Sequence, residues 1–219
     1  MGIGRRVRRM FGSHERAVSD AFRSAFVDLA AFTREVGSRV REAGKVLEIG
    51  CGEGIMTEHL ANLYPGARLT GIDICQQPGR LFRGDETRVR FLRTSAAELS
   101  ATERHSYDLV VIADVIHHVP LDDRLPLLQS AVTLVAPAGT VVFKEWLRDG
   151  SAISLANFLF ERIITGDRVS YLREHELRAL ATRVFGHDCI RAEFHIAPWN
   201  SNMALVIAPN PGVCKNEDS

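Results

Sequence analysis

Three glycines spaced two residues apart follow an apolar run near residue 50, and they constrain the fold of this chain most. The segment Val46–Gly54 reads VLEIGCGEG, and a second apolar run, Leu69–Ile74, carries Asp73 near its end. Glycine permits positive φ and lets a ligand approach the main chain without meeting a Cβ atom. An acid about 20 residues further on can accept both hydrogen bonds of a ribose diol. The pattern predicts a nucleoside-binding strand–loop–helix–strand unit; the alternative is a tight turn without a ligand.

Two acids indicate which nucleoside suits this loop. A dinucleotide binder places a pyrophosphate at the helix N-terminus, where Glu48 and Glu53 would repel it. The same acids suit a ligand that carries an ammonium and a sulfonium group. Here the chain resembles the class I S-adenosylmethionine-dependent methyltransferases, whose first motif reads much like Val46–Gly54. The resemblance implies S-adenosyl-L-methionine as cofactor and S-adenosyl-L-homocysteine as product.

Strand-like and helix-like segments alternate from residue 45 onward. Apolar runs such as Leu109–Ala113 lack polar alternation, which is typical of strands buried on both faces of a parallel sheet. The predicted strands span 45–50, 68–74, 88–93, 107–113, 139–146, 189–195 and 202–208, and the predicted helices span 54–64, 77–83, 121–135, 153–164 and 174–185. We therefore expect an α/β fold with a Rossmann-like, doubly wound, mostly parallel seven-stranded sheet and helices on both faces.

A helical leader precedes this core. Apolar residues recur at three- and four-residue spacing over 13–43, which predicts a helix. In the resembling family such a segment often forms a lid, although a helix that only covers the sheet fits the pattern equally well. We expect an N-terminal helical lid segment at 1–44 and a methyltransferase domain at 45–209. The domain would carry a helical insertion after strand five, near 147–170, and residues 210–219 would form a flexible tail.

The carboxyl ends of the strands carry the candidate cofactor-binding residues, because ligands of open α/β sheets bind there. The resemblance implies that the glycine loop approaches the methionine part, that Asp73 takes the ribose hydroxyls and that Ile74 lies against adenine. After strand three the family usually has Asp-Ala, whereas this chain has Ser95-Ala96, so the adenine contact falls to Ser95 or to Glu98. The full predicted set is Glu48, Gly50, Cys51, Gly52, Gly54, Asp73, Ile74, Ser95, Ala96, Ala113 and Asp114.

Two adjacent histidines after strand four are the candidate catalytic residues. Histidine titrates near neutrality and can take a proton from an acceptor. Neighbouring helical residues point about 100° apart, so one of the two at most faces the acceptor. We expect His117 to do so and His118 to brace the loop. Lys144 and Glu145 at the end of strand five could reach the same cavity, although a salt-bridged strand end fits this pair better.

Apolar and aromatic side chains are abundant around the expected cleft mouth. They are Trp146, Phe158, Leu159, Phe160, Ile163, Tyr171 and Trp199. Such a lining favours a small apolar or aromatic acceptor over a polar polymer. The apolar stripe over residues 155–164 is compatible with core packing and also with a homodimer contact.

Charge and cysteine usage argue against several other classes. Lysine plus arginine (27) equals aspartate plus glutamate (27), so the whole chain has no net attraction to nucleic acid or an anionic membrane. The loop after strand four lacks the prolines of methyltransferases that act on extruded bases, and the Arg5–Arg9 cluster fits solvation better than phosphate binding.

The four cysteines form no C-x-x-C pair, so we expect no metal site and no disulfide framework. Without a secretory signal or a long apolar run, the sequence predicts a cytoplasmic protein with no transmembrane segment.

The family motifs occur in order over residues 45–147, up to and beyond the turn Pro137-Ala138-Gly139. They predict the cofactor but not the acceptor atom. We expect methyl transfer from S-adenosylmethionine, without a metal, to a small apolar or aromatic acceptor of the natural-product biosynthesis type. Two alternatives stay open: an enzyme of the same fold that catalyses a non-methylating reaction such as cyclisation, and a non-catalytic binding partner. The intact glycines and Asp73 argue against the second.

Overall fold

A computed structural model describes residues 28–160 and 169–210, apart from the side chain of Phe160. Four predictions lie wholly or partly outside these residues. They concern the Arg5–Arg9 cluster, the leader helix before residue 28, the insertion over residues 161–168 and the tail beyond Asn210.

Seven strands form one sheet. They are β1 (Lys45–Ile49), β2 (Arg68–Asp73), β3 (Val89–Arg93), β4 (Tyr107–Ala113), β5 (Val135–Trp146), β6 (Ile190–His195) and β7 (Asn202–Ile207). Their order is β3-β2-β1-β4-β5-β7-β6; the pairs from β3 to β5 are parallel, and β7 runs antiparallel to both of its neighbours. The predicted doubly wound, mostly parallel seven-stranded sheet is confirmed. Chain order reverses between β1 and β4, so the ligand crevice of this fold lies beyond their carboxyl ends.

Six α-helices lie among the described residues. They are α1 (Leu29–Arg39), α2 (Ile55–Leu63), α3 (Ala96–Ser100), α4 (Leu121–Leu134), α5 (Ala152–Phe160) and α6 (Glu174–Phe185). Successive strand residues face opposite layers, so Leu47 packs with α3, α4 and α6, whereas Val46 packs with α1 and α2. Helices on both faces explain why the central strands are apolar throughout. Over 28–160 and 169–210, no helix is both long and apolar enough to cross a bilayer.

The described part of the leader helix covers the sheet. A helix begins after Asp28, whose Oδ1 accepts a hydrogen bond from the Ala31 N–H at 2.8 Å, and it ends at Arg39, four residues before the predicted end. Val40 is extended, and its carbonyl accepts a hydrogen bond from the Tyr64 hydroxyl at 2.7 Å. Phe32 and Val36 are fully buried in the layer beside α2. This half of the leader therefore packs on the sheet layer, and a lid role for the whole leader stays a prediction.

One predicted helix is wrong and one short helix was not predicted. Residues 77–83 form turns, because Gly79 has a φ of 75° and packs so closely on Phe91 that a Cβ would lie 2.3 Å from the ring. Helix α3 begins at a capping box in which Ser95 Oγ accepts the Glu98 N–H at 3.2 Å. The spacing Ser-x-x-Glu is the sequence signal that predicts this start.

Strand β5 is longer than predicted. It begins at Val135 rather than at 139, because Tyr107 pairs with Val135 before Leu109 pairs with Thr140. Residues 136–139 form a bulge between these pairs, where Pro137 has no N–H to donate to a ladder. A Cβ at Gly139 would lie 2.9 Å from the Tyr107 carbonyl oxygen. The turn at residues 137–139 is thus an irregularity within the strand and does not precede it.

The insertion begins with α5, which presents two different apolar faces. Ile153 and Phe158 pack against the core, whereas Leu155 and Leu159 are 59% and 44% exposed. The described part of the stripe over 155–164 is therefore not uniformly core. A homodimer contact through its exposed face stays a prediction.

Candidate active site

The three glycines of the loop between β1 and α2 serve two different purposes. Gly50, Gly52 and Gly54 have φ values of 77°, 50° and 88°. A Cβ at Gly50 would lie 2.4 Å from Val115, and one at Gly54 would lie 2.9 Å from the Cα of Gly79. At Gly52, nothing lies within 4 Å of an added Cβ. Gly50 and Gly54 thus permit close packing within the protein, while Gly52 borders open space into which a ligand can approach the backbone.

Asp73 fastens this loop to the end of β2. Its Oδ2 accepts the Gly52 N–H and its Oδ1 accepts the Cys75 N–H, both at 2.8 Å. A carboxylate has about four lone-pair sites, so capacity remains for two ribose hydroxyls. Beside it, Ile74 is 76% exposed. A carboxylate next to an exposed apolar side chain suits a nucleoside, whose ribose is polar and whose base has an apolar face.

The acids at positions 48 and 53 differ in their surroundings. Glu48 is buried and accepts a hydrogen bond from the Thr57 hydroxyl of α2. Glu53 forms an ion pair with Arg80, so its charge is balanced within the protein. Burial, and then the charges of Glu48 and Asp73, raise the pKa of the Cys51 thiol far above its usual range. Cys51 therefore remains a neutral thiol inside the loop and can contribute packing and a backbone group.

Ser95 and Glu98 are used to begin helix α3. Ser95 Oγ and the Ser95 N–H both donate to Glu98 Oε2, at 2.9 and 2.8 Å. These bonds, with one from Thr94, lower the pKa of Glu98. The expected adenine contact through either side chain would have to compete with this network. The Ala96 N–H lies in the first turn of α3 and has no intrahelical acceptor, so it is the better candidate at this strand end.

Asp114 adopts a strained backbone at the end of β4. Its φ is 59°, and its N–H donates to the Lys144 carbonyl at 3.0 Å. Its carboxylate forms an ion pair with the fully buried Lys144 ammonium. The predicted salt-bridged strand end is confirmed for Lys144, with Asp114 as its partner. Neighbouring strand residues point to opposite faces of a sheet. Lys144 faces Asp114, and Glu145 faces the turn that follows β4.

His117, in the 3₁₀ turn Ile116–His118, forms a buried pair with Glu145 of β5. The Nδ1 atom of His117 lies 2.6 Å from Glu145 Oε2, and both side chains are about 1% exposed. Glu145 Oε1 accepts the backbone N–H groups of Val115 (3.0 Å) and Ile116 (2.7 Å). Since a carboxylate only accepts hydrogen bonds, the proton of a neutral His117 ring is assigned to Nδ1 and the lone pair to Nε2. His118 is exposed, whereas His117 is buried, and the roles expected for the two histidines stay predictions.

Aromatic groups surround His117. The Tyr171 ring lies edge-on at 5.1 Å from the His117 ring, and the Phe158 ring lies 6.0 Å from Tyr171. Asn157 of α5 donates to the Tyr171 hydroxyl at 2.8 Å. Phe158 and Tyr171 therefore lie near the candidate base as predicted. Trp146 instead lies buried within β5, paired with Asn202.

Asp114, His117 and Glu145 offer ligand atoms within 4.8 Å of one another, a spacing that a metal ion could use. Their other contacts do not favour one. Asp114 already carries the Lys144 ammonium, which would repel a divalent cation, and both oxygens of Glu145 are occupied by N–H groups and the His117 ring. These donors fit a hydrogen-bonded base better than a metal centre.

Residues 21–187, well over half of the chain, match a family model described as a methyltransferase domain. A ubiquinone biosynthesis O-methyltransferase of Hydrogenovibrio crunogenus is 32% identical over 146 residues, which cover 62% of this chain and 59% of that protein. The match thus spans less than two thirds of the length of this relative and of a ubiquinone biosynthesis O-methyltransferase of Vibrio cholerae, of which it covers 57%.

Two solved structures share the fold. The 1,6-didemethyltoxoflavin-N1-methyltransferase of Burkholderia thailandensis, with bound 1,6-didemethyltoxoflavin and S-adenosylhomocysteine, has a TM-score of 0.64 and 17% identity, covering 93% of this chain and 87% of that one. The pyocyanin biosynthetic protein PhzM has a TM-score of 0.71 and 16% identity, covering 94% and 61%.

Proposed function

Because the chain belongs to the methyltransferase-domain family, we propose that it transfers a methyl group from S-adenosylmethionine to a small apolar or aromatic acceptor. The observation that carries this proposal is the placement of two features at one sheet edge. The glycine loop follows β1 and is hydrogen-bonded to Asp73 at the end of β2. His117 follows the neighbouring β4, and its partner Glu145 lies near the end of the next strand, β5. One feature suits a nucleoside cofactor, and the other suits removal of a proton from an acceptor beside it.

The cofactor would be held by groups from four strand ends. The Gly52 border leaves room for the methionine part beside the backbone, with Glu48, Ala113 and Asp114 toward its ammonium. Asp73 would bind the ribose diol, and the exposed Ile74 would cover the adenine face. Gly50, Cys51 and Gly54 shape the loop, and Ser95-Ala96 would border the base.

The chain's own contribution to the reaction is proton transfer and orientation. When bound, S-adenosylmethionine supplies the methyl group as an electrophile on a sulfonium. The Nε2 atom of His117 would take the proton of the acceptor hydroxyl while the acceptor oxygen bonds the methyl carbon and the sulfur keeps the electron pair of the broken bond. Glu145 would hold the required tautomer and stabilise the imidazolium that forms, since it bonds Nδ1 at 2.6 Å.

The surroundings of His117 support the acceptor class. Tyr171 and Phe158 provide aromatic edges, and the buried Tyr171 with the half-buried Phe158 would exclude water from the base. The O-methyltransferase relative supports oxygen as the atom methylated.

The proposal is tested by incubating the protein with S-adenosylmethionine and a panel of small phenols, hydroxylated heterocycles and aliphatic alcohols. Stoichiometric S-adenosylhomocysteine and methylated product are expected from an aromatic member; cofactor binding without product would favour a non-methylating activity or a non-catalytic partner.

Replacing Asp73 by alanine is expected to weaken S-adenosylhomocysteine binding by about 1–3 kcal/mol, or about 5- to 150-fold in Kd. The change removes the ribose partner and also the bond that holds Gly52. Asp85→Ala is the matched control, because Asp85 likewise accepts a backbone N–H two residues on but lies in the exposed β2–β3 connection. Isothermal titration calorimetry measures both variants, and equal affinities for them would remove Asp73 from the cofactor site.

Chelation is expected to leave the methyl-transfer rate unchanged. Lys144 already neutralises Asp114, and the Glu145 oxygens are already hydrogen-bonded. The rate is measured before and after dialysis against EDTA. A loss that added Mg²⁺ or Zn²⁺ restores would mean that Asp114, His117 and Glu145 hold a metal after all.

A further inference from the structure

Arg124 at the end of the first turn of α4 is a buried cation that forms no ion pair within the described ranges. Its residue surface is 3% exposed, and its Nη1 atom has no hydrogen-bond partner among residues 28–160 and 169–210. Burial lowers the pKa of Arg124. A buried guanidinium costs more free energy than an apolar side chain of similar volume, so packing alone does not explain an arginine here.

The two hydrogen bonds that Arg124 does make both end beside His117. Its Nε donates to the Val119 carbonyl at 3.0 Å, two residues after His117. Its Nη2 donates to the Ser170 carbonyl at 2.8 Å. The Ser170 N–H in turn donates to the His117 carbonyl at 2.9 Å. One guanidinium therefore closes a ring of main-chain contacts that contains the candidate base.

The same ring includes the chain that returns from the insertion, which we call the return segment (Val169–Leu172). Tyr171 of this segment places its ring against His117, and the Leu172 carbonyl accepts the Arg148 N–H at 2.8 Å. The return segment thus forms a wall of the acceptor side. Whatever holds Ser170 also sets the distance between that wall and His117.

The charge of Arg124 is directed toward the carboxylate that holds His117. The negative charges of Glu145 and Glu176 act on Arg124 and oppose the effect of burial on its pKa. The cation therefore bonds the main-chain turn that carries His117 and also interacts electrostatically with the carboxylate that contacts Nδ1.

We propose that Arg124 is a positioning residue that fixes His117 and the return segment in one geometry for proton transfer. The inference rests on the proposed function, because it assigns Arg124 a role through His117. Arg124 does not touch the reacting atoms. Its effect should therefore appear in turnover and in the order of the His117 ring, with little effect on cofactor binding.

The test compares Arg124→Met and Arg124→Lys with Arg88→Met. Arg88 is a matched control because it also binds backbone carbonyls, those of Ala61, Tyr64 and Ala67 at 2.7, 3.2 and 3.3 Å. It lies next to the start of β3, away from the carboxyl ends of the strands. The measurements are kcat and acceptor KM, the Kd of S-adenosylhomocysteine, thermal unfolding, and the NMR signal of the His117 Nδ1–H proton. His117→Gln assigns that signal.

Arg124→Met is expected to lower kcat roughly 10- to 100-fold, as a small misplacement of a base does, with the Kd of S-adenosylhomocysteine nearly unchanged. The His117 Nδ1–H signal, protected in the wild type and in Arg88→Met, should be lost to exchange. Arg124→Lys keeps the charge and should recover part of both, which preserves the test if the methionine variant is poorly folded. Unchanged kcat per folded molecule with a retained signal, or equal losses in Arg88→Met, would overturn the proposal. If His117→Gln kept full activity, the proposed function would fail, while the NMR comparison would still report on positioning.

Discussion

Replacing His117 by glutamine is expected to lower kcat about 10²- to 10⁴-fold, the usual contribution of a general base. Glutamine fills a similar volume and can still bond Glu145, but it cannot accept a proton near neutral pH. The affinity for S-adenosylmethionine should stay the same, because the glycine loop and Asp73 hold the cofactor independently of the ring. Steady-state kinetics with the acceptor found by the panel measures the first quantity, and calorimetry measures the second.

His118→Gln is the matched control for this prediction. His118 is the adjacent residue with the same side chain, but it is exposed and its ring lies 4.2 Å from that of His117. It should retain most of the activity. Full activity in His117→Gln would return His117 to a structural role, and a large loss in His118→Gln alone would exchange the two assignments.

Replacing Glu145 by glutamine is expected to have the second largest effect. The amide oxygen can accept the Val115 and Ile116 N–H groups, but the NH₂ group then faces Nδ1 of His117. Nδ1 would have to become an acceptor, the ring proton would move to Nε2, and the base would lose its lone pair. We expect kcat to fall about 10²- to 10⁴-fold, as for other wrong-tautomer variants. The free energy of unfolding should fall by about 1–3 kcal/mol, because bonds to a charged acceptor are lost.

A double-mutant cycle with His117→Gln tests whether the two residues act as one unit. If they do, the double variant should be little slower than either single one. Glu193→Gln is the control. Glu193 is also a strand carboxylate in an ion pair, here with Arg178, but it lies on β6 at the far edge of the sheet. Additive losses in kcat, or an equal loss in Glu193→Gln, would mean that Glu145 does not act through His117.

The sheet could be predicted because its signals are local. Buried parallel strands require unbroken apolar runs, so the approximate positions of the central strands β1, β4 and β5 follow from sequence alone. The bulge at residues 136–139 could not be predicted in this way, since it depends on how β5 pairs with Tyr107 and Leu109. The turn at residues 77–83 was not predicted for a similar reason, because the contact between Gly79 and Phe91 joins residues that are not neighbours in the chain.

The sequence named candidate residues for the site, but it did not indicate which of these residues contact one another. The spacing of the glycines and Asp73 indicates a nucleoside loop, and Asp73 indeed bonds Gly52. The sequence does not say that Glu145 holds His117, because that contact joins positions 28 residues apart, with helix α4 and most of β5 between them. Successive side chains of a strand point to opposite faces of the sheet. Strand geometry therefore does predict that Lys144 and Glu145 contact different partners. The ligand contacts of the predicted cofactor residues stay predictions.

Calorimetric titration of the protein with S-adenosylmethionine and S-adenosylhomocysteine tests the central claim most directly. The account predicts one site per chain with micromolar affinity for both ligands, and clearly weaker binding after Asp73→Ala than after Asp85→Ala. Absence of heat with either ligand, for a protein that is folded by thermal unfolding, would contradict it. The loop around Gly52 would then be a turn without a ligand, and the His117–Glu145 pair would need another reaction.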